Sequence, residues 1–346
     1  SNIPSIHAVD LFCGVGGLTK GFERAGIKTQ LGIDIDRACQ YPYTANNDSQ
    51  FVLKSVNDLT GREIKSAFSG SEYSLLAGCA PCQPFSTYSQ GRPRDARWGL
   101  IDQFKRLILE SQPDIVSMEN VPRLKNESIF DDFISTLRQN GYHANYKVLC
   151  CSDFGVPQHR NRLVLLASRL GEIDIPAPRK HPQKKTVQDA IGSLESIKAG
   201  GQSKFDRLHS SPALSELNLK RIRASKPGGS WRDWPKGLIA DCHKKEKGKR
   251  YVSVYGRMEW DVISPAITTQ FYGFGNGRFG HPSQDRALSL REGAILQSFP
   301  KSYKFVKDGE PLSFTALGRL IGNAVPVKLA EALGKAVVKH ACAHGT

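Results

Sequence analysis

The sequence predicts an α/β fold: a doubly wound, mostly parallel sheet accompanied by a second, smaller and irregular domain. Three observations predict it. Through the first half of the chain, short apolar runs alternate with segments of helical period, the order that builds a parallel sheet covered by helices. A glycine-rich turn with Gly14, Gly16 and Gly17 joins the first apolar run to the first helix. Beyond Gly171 the alternation decays into short polar segments broken by Pro176, Pro178, Pro182, Gly200, Gly201, Pro227, Gly228 and Gly229.

Residues 6–12 read as the first strand. The glycine turn follows, and then a helix over 18–25 that Gly26 stops. Residues 29–33 form a second strand and about 37–46 a helix. Further strands are predicted at 51–56, 73–77, 114–118 and 162–167, with helices near 101–111 and 130–140 between them. Regular patterning returns near Ser289, and a last helix runs over about 327–340. No internal repeat is visible. The expected division is therefore a first domain over 1–170, an irregular domain over 171–285, and a return to the first domain over 286–346.

The 346 residues, 39% hydrophobic and 23% charged, suit a soluble globular protein with a large core. No apolar run approaches the roughly 20 residues of a membrane span, and no basic-then-apolar secretory pattern is visible. The expectation is a cytoplasmic protein without a membrane partner. The eight cysteines (13, 39, 79, 82, 150, 151, 242, 342) lack disulfide-framework spacing, which favours a reducing compartment. Cys79 and Cys82 form a CxxC, but no second pair stands at zinc-finger spacing, so no metal is expected.

The charge is more telling. Lys and Arg number 48 against 33 Asp and Glu, a net +15, which points to a polyanionic partner, nucleic acid first. Residues 169–285 hold 21 basic and 12 acidic groups, so a third of the chain carries more than half of the surplus. Residues 244–250 are a dense basic run, with Trp231, Trp234, Tyr251, Tyr255, Trp260 and Tyr272 interleaved nearby. Such aromatics serve equally as stacking surfaces for bases or as core.

Four features carry chemistry. The glycine turn admits a nucleotide-like ligand close to a helix N-terminus, and Asp34, twenty residues past Gly14, stands where an acidic group binds ribose hydroxyls. The GxGG spacing departs from GxGxxG and tilts from a dinucleotide toward S-adenosylmethionine. Cys82 follows Pro81 at the end of an apolar run, where a thiol is placed as a nucleophile; a small buried hydrophobe is the other reading. Glu119 closes a strand and could donate a proton or hydrogen bond, or belong to a helix-capping turn. Arg160 and Arg162 open a strand, where alternation places both on one face to hold carboxylates or phosphates; a solvated strand edge is the alternative.

In order and over most of the chain, these segments resemble the bacterial type of the DNA (cytosine-5)-methyltransferase family. Residues 10–18, with Phe12, Gly14, Val15, Gly16 and Gly17, look like its cofactor loop. Asp34 with Ile35 and Asp58 with Leu59 match its ribose and adenine positions. Pro81, Cys82 and Gln83 match its nucleophile motif, and Glu119, Asn120 and Val121 its acid motif. Residues 158–162 are similar to its arginine motif, and 291–300 and 322–325, with Asn323 and Val325 as cofactor contacts, to its last two motifs.

The resemblance implies a Rossmann-like methyltransferase fold, S-adenosylmethionine as cofactor and carbon 5 of cytosine in a specific double-stranded DNA sequence as target. Cys82 would add to carbon 6 of a flipped-out base, with Glu119, Arg160 and Arg162 as its catalytic partners. Residues 171–285 fall at the target-recognition domain, and Thr268 or Thr269 at a threonine that limits placement of the flipped base. A monomer in the bacterial cytoplasm, associated with the nucleoid through DNA and accompanied by a restriction endonuclease of the same specificity, is the implied setting. Two departures stand out: the nucleophile motif begins Gly78, Cys79, Ala80 instead of with more Gly and Pro, and His159 stands where a third basic residue is common. The tRNA-methylating branch shares nearly all these motifs. A NAD- or FAD-dependent oxidoreductase would explain the glycine loop and Asp34, but not Cys82 with Glu119.

Overall fold

The apolar runs of the first half become the centre of one sheet. In a computed structural model, which describes residues 2–81, 99–180 and 183–345, the strands are β1 (Ile6–Leu11), β2 (Lys28–Asp34), β3 (Gln50–Leu53), β4 (Tyr73–Gly78), β5 (Ile115–Asn120), β6 (His143–Cys150) and β7 (Asn161–Ser168). They lie in the order β3-β2-β1-β4-β5-β7-β6. Neighbours among β1 to β5 pair in parallel, while β7 runs antiparallel to both β5 and β6. Strand order reverses between β1 and β4, the point at which an open sheet leaves a crevice outside its carboxyl ends.

The central strands carry apolar residues on both faces because helices cover both faces. Leu75, Leu76, Ile115, Val116, Leu163 and Val164 are all buried. Five helices follow the strands: α1 (Gly17–Ala25), α2 (Gln40–Asn46), α3 (Gly61–Ala67), α4 (Gly99–Ser111) and α5 (Ser128–Gln139). The apolar stripe of α4, with Phe104, Leu107 and Ile108, joins Phe130, Phe133 and Leu137 of α5 in one core. The Phe104 and Phe133 rings stack at 5.8 Å.

The structure departs from expectation in places. The third strand ends at Leu53, because Ser55 caps a 3-10 turn (Val56–Asp58) by accepting from the Asn57 N–H. The helix α3 carries little apolar periodicity and forms around a capping box between Thr60 and Glu63. Only Ala144 and Leu149 of the edge strand β6 are buried, so it lacks the apolar run that marks its neighbours.

The chain divides into two compact units. The first comprises Ser1–Phe154, Asn161–Pro182 and Val325–Thr346 and holds the sheet; the second comprises Gly155–Arg160 and Gln183–Ala324. The chain rejoins the first unit at Val325. Residues 286–324 are tied into the second unit: Gln158 donates to the Leu296 carbonyl and to Gln297, Arg286 to the Ile197 carbonyl and Arg291 to Asp206. The described part of the second unit contains short helices and isolated bridges. Its core gathers Ile222, Trp231, Trp234, Phe274 and Ala287.

In the first unit the last helix (Val327–His344) lies against α1, and Gly21 sits at their crossing. A Cβ there would stand 2.4 Å from the Ala330 Cβ and 2.6 Å from the Val327 carbonyl oxygen. Gly21→Ala is expected to destabilise the protein by about 1–3 kcal/mol through overpacking, read as a lowered urea midpoint. An unchanged midpoint would show that the two helices part without penalty.

Candidate active site

The site begins where β1 ends. Phe12, Gly14 and Gly16 all take positive φ (56°, 53° and 96°), which turns the chain tightly into α1. For Phe12 that conformation costs on the order of 1–3 kcal/mol, a strain typical of functional turns. Gly16 is the N-cap of α1 and no side chain caps the helix, so its first-turn N–H donors face the loop side. The loop is pinned from β2: one Asp34 oxygen accepts from the Gly14 N–H and the other from the Asp36 N–H, both at 2.9 Å. Burial lifts the Asp34 carboxyl above its ordinary range, and the Asp36 and Gly14 N–H groups pull it back. Beside it, Ile35 is 72% exposed, an apolar surface next to a hydrogen-bond acceptor. Asp58 is exposed at the end of the 3-10 turn, with Leu59 buried behind it.

Under the loop lies a buried polar chain. Thr19 Oγ1 donates to Asp10 Oδ2 at 2.8 Å and also meets the Tyr43 hydroxyl, which reaches Ser49. Gly32 makes room for it, since a Cβ there would stand 2.3 Å from the Tyr43 ring. Desolvation pushes the Asp10 carboxyl up to about 7, against the Thr19 hydrogen bond and with help from the Asp34 charge.

Strand register builds the other half. Gly78 of β4 lies beside Met118 of β5, and Glu119 and Asn120 of β5 lie beside Val164 and Leu163 of β7. The carboxyl ends of β4 and β5 therefore meet the start of β7. Glu119 is 1% exposed and forms an ion pair with Arg162 through the guanidinium Nε. Nη2 of the same guanidinium lies 3.8 Å from Cys79 Sγ. Burial alone would lower the Arg162 pKa; the charge of Glu119 outweighs it, and the net shift is upward. Burial pushes the Cys79 thiol well up, and the Glu119 charge adds to that. Asn120 donates from Nδ2 to the Ala80 carbonyl at 2.9 Å, which fixes the backbone leading to Pro81. Pro81 is exposed. Cys82 and Gln83 lie outside the described residues.

The remaining predicted residues belong largely to the second unit. The strand β7 begins at Asn161, so strand alternation does not place Arg160 with Arg162. Arg160 instead donates to the carbonyls of Ile267 and Gly322 and to Gln158 Oε1. Asn323 is the C-cap of the helix Phe314–Gly322 and is exposed. Val325, in the first unit, is nearly buried. The Thr268 hydroxyl accepts from the Gln270 N–H. Residues 244–247 and 249–250 are exposed, whereas Trp231 and Trp234 are core, their indole N–H groups bound to the Tyr251 carbonyl and Ser225 Oγ. Sequence reasoning passed over Thr19, Tyr43 and the Cys79 contact. Thr19 sits on the first turns of α1, but no local pattern foretells Tyr43, which reaches the site from α2.

Two outcomes follow from the buried carboxylates. An unfolded Asp titrates near about 3.9. With Asp10 raised to about 7, the folded chain holds its proton more tightly. The contribution to stability is then full below about pH 4, declines from there to about pH 7, and is gone above it. Asp10→Asn should therefore gain on wild type across that window, with the gap widest at pH 8 in urea titrations; a pH-independent gap would refute the assignment. For the ion pair, Arg162→Met should destabilise by about 3–5 kcal/mol because it strands a buried charge. Adding Glu119→Gln should recover most of that loss in a double-mutant cycle, and additivity would mean that the two side chains are uncoupled.

Comparison with known proteins agrees with this architecture. The family described as C-5 cytosine-specific DNA methylase matches residues 6–339. The chain is similar to the Type II methylase M.HgiDII of Herpetosiphon aurantiacus, with 49% identity over 333 residues covering 95% of this chain and 94% of that one. It is also similar to the Type II methyltransferase M1.HphI of Haemophilus parahaemolyticus, with 33% identity over 343 residues covering 97% and 87%. Its fold resembles that of a chain solved under the description of a prophage-encoded DNA modification methyltransferase from E. coli, at a TM-score of 0.73 and 23% identity over 97% and 99% of the two chains. The match replaces the dinucleotide oxidoreductase reading. The glycine loop, the buried carboxylate at the strand ends and the family match over nearly the whole length agree: the chain belongs to the C-5 cytosine-specific DNA methylases, which carry a methyl group from S-adenosylmethionine to carbon 5 of cytosine in DNA.

Proposed function

We propose that this chain methylates cytosine within one specific double-stranded sequence, with Cys82 as nucleophile and Glu119, held by Arg162, as the group that receives the heterocycle. The observation that carries this reading is the buried Glu119–Arg162 pair at the ends of β5 and β7, beside the segment that leads to Pro81 and Cys82. Carbon 5 of cytosine is a poor nucleophile. Bonding of the Cys82 thiolate to carbon 6 makes the ring an enamine whose carbon 5 can attack an electrophile. Glu119 suits ring N3 and the exocyclic amine, where hydrogen bonding drains the developing charge. Arg162 keeps the carboxylate oriented, and Arg160 serves the bound base. After transfer a base takes the carbon 5 proton, and the electron pair of that bond re-forms the ring double bond as the carbon–sulfur bond breaks and Cys82 leaves as thiolate.

The residues of the first unit fit the cofactor. The turn at Phe12, Gly14, Val15, Gly16 and Gly17 offers backbone donors at a helix start, Asp34 an acceptor, and exposed Ile35 a flat apolar surface for a purine. Asp58, Leu59, Pro81, Asn323 and Val325 complete the proposed contacts. When bound, S-adenosylmethionine supplies a methyl group activated on a sulfonium.

The target atoms are unreachable inside a duplex, so the base must be flipped out. The second unit, with its exposed basic run over 244–250, is proposed as the target-recognition domain that grips phosphates and reads base edges. Like the Type II methylases it is similar to, the protein is proposed to accompany a restriction endonuclease of the same specificity, and to act as a monomer on nucleoid DNA in the bacterial cytoplasm.

Incubation with a labelled methyl donor and either duplex DNA or tRNA, followed by mapping of the modified base, tests the reading. Label is expected on carbon 5 of cytosine in one duplex sequence. It should be lost in Cys82→Ala and reduced by roughly 10²–10⁴-fold in Glu119→Gln. Label in tRNA alone, or full activity of Cys82→Ala, would overturn it.

A further inference from the structure

The residue three places before the nucleophile is a cysteine that the reaction does not use, and it stands in contact with the group that holds Glu119. Cys79 immediately follows β4, and its sulfur lies 3.8 Å from Arg162 Nη2 while Nε of that guanidinium pairs with Glu119. One planar fork therefore touches the carboxylate with one nitrogen and the thiol with another. Burial, and with it the nearby Glu119 charge, favours the S–H form of Cys79. The three side chains come from adjacent strand ends, those of β4, β5 and β7, with the guanidinium touching both the thiol and the carboxylate.

We propose that Cys79 is a positioning residue for the methyl-transfer reaction: its thiol accepts from Arg162 and so steadies the guanidinium that holds the carboxylate that receives the cytosine ring. Sulfur suits the place as a weak acceptor. The neighbouring backbone is independently tied, since Asn120 Nδ2 holds the Ala80 carbonyl. The Cys79 side chain consequently acts on Arg162, and through it on Glu119, while the main chain toward Pro81 keeps its own anchor. A carboxylate with 1% exposure reorients only with the group that holds it, so a guanidinium that loses its second contact is felt in the carboxylate's orientation and protonation. The thiol stays protonated under this arrangement, which separates its part from that of a nucleophile.

This inference rests on the catalytic role proposed for Glu119, and the experiment separates the two. Steady-state methylation of duplex DNA is measured for wild type, Cys79→Ala, Cys79→Ser and Glu119→Gln across pH 5 to 9, with thermal unfolding as a control. Cys79→Ala should lower kcat by roughly tenfold with KM for DNA and for the methyl donor close to wild type. The limb of the kcat/KM profile that Glu119→Gln abolishes should move to higher pH, because the guanidinium that favours the ionised carboxylate is held less firmly. Cys79→Ser, which keeps one donor and one acceptor, should restore both kcat and the limb. Wild-type kcat and pH profile in Cys79→Ala would overturn the inference. So would an equal loss in Cys79→Ala and Cys79→Ser that follows a lowered unfolding temperature, since that marks a packing role. Full activity of Glu119→Gln would instead overturn the catalytic reading itself.

Discussion

A carboxylate that is almost completely buried imposes the strongest constraint on this protein. Glu119, at 1% exposure, can keep a charge there only with a partner of opposite sign and good geometry. Arg162 supplies it, and the sheet must be built to deliver that arginine. Were β7 parallel to β5, its first residues would lie at the opposite edge from Glu119. Because β7 runs antiparallel, Leu163 and Val164 pair with the last two residues of β5, and Arg162 just before them comes within reach of Glu119. The one reversal of direction in an otherwise parallel sheet is thus what permits a buried acid at its carboxyl edge.

The other constraint acts at the strand-order reversal. β1 and β4 are neighbours although two strands separate them in the chain, and each sends its loop out from the same edge of the sheet. The loop after β1 is drawn tight by Asp34 from β2, and the segment after β4 by Asn120 from β5. Each loop that would meet a ligand is held by a side chain from the next strand outward. This arrangement gives precision without lengthening the loops, since a hydrogen bond from a rigid strand costs little ordering entropy.

Much of this was legible in the residues themselves. Strands buried on both faces carry continuous apolar runs, so β1, β4 and β5 could be located within a residue or two. Glycines with positive φ announce a turn whatever surrounds them. The edge strand β6 and the helix α3 were not legible, because one buries only Ala144 and Leu149 and the other depends on a two-residue cap. Pairings set by register, such as Cys79 with Arg162 across two strands, have no local signature at all: 83 residues separate them. The expected common face for Arg160 and Arg162 failed for a related reason, since alternation is informative only inside a strand and β7 starts one residue after Arg160.

The basic surplus, read from sequence as a signature of nucleic acid, also divides when the fold is known. The second unit has little regular structure among its described residues, so its buried carbonyls lack the ladders that satisfy them elsewhere. Arginine fills that gap. Arg257 donates to the carbonyls of Ile222, His281 and Gln284 and pairs with Asp285; Arg291 binds the Tyr303 carbonyl and Asp206; Arg286, fully buried, holds Glu292 and the Ile197 carbonyl. A guanidinium has five donors in a fixed fork and no acceptor, which suits it to tie several carbonyls at once. Those charges are committed to the fold. The lysines of residues 244–250 remain at the surface, where ammonium groups on flexible stems are the natural partners of a phosphate backbone. Net charge alone therefore overstates the electrostatic surface open to DNA.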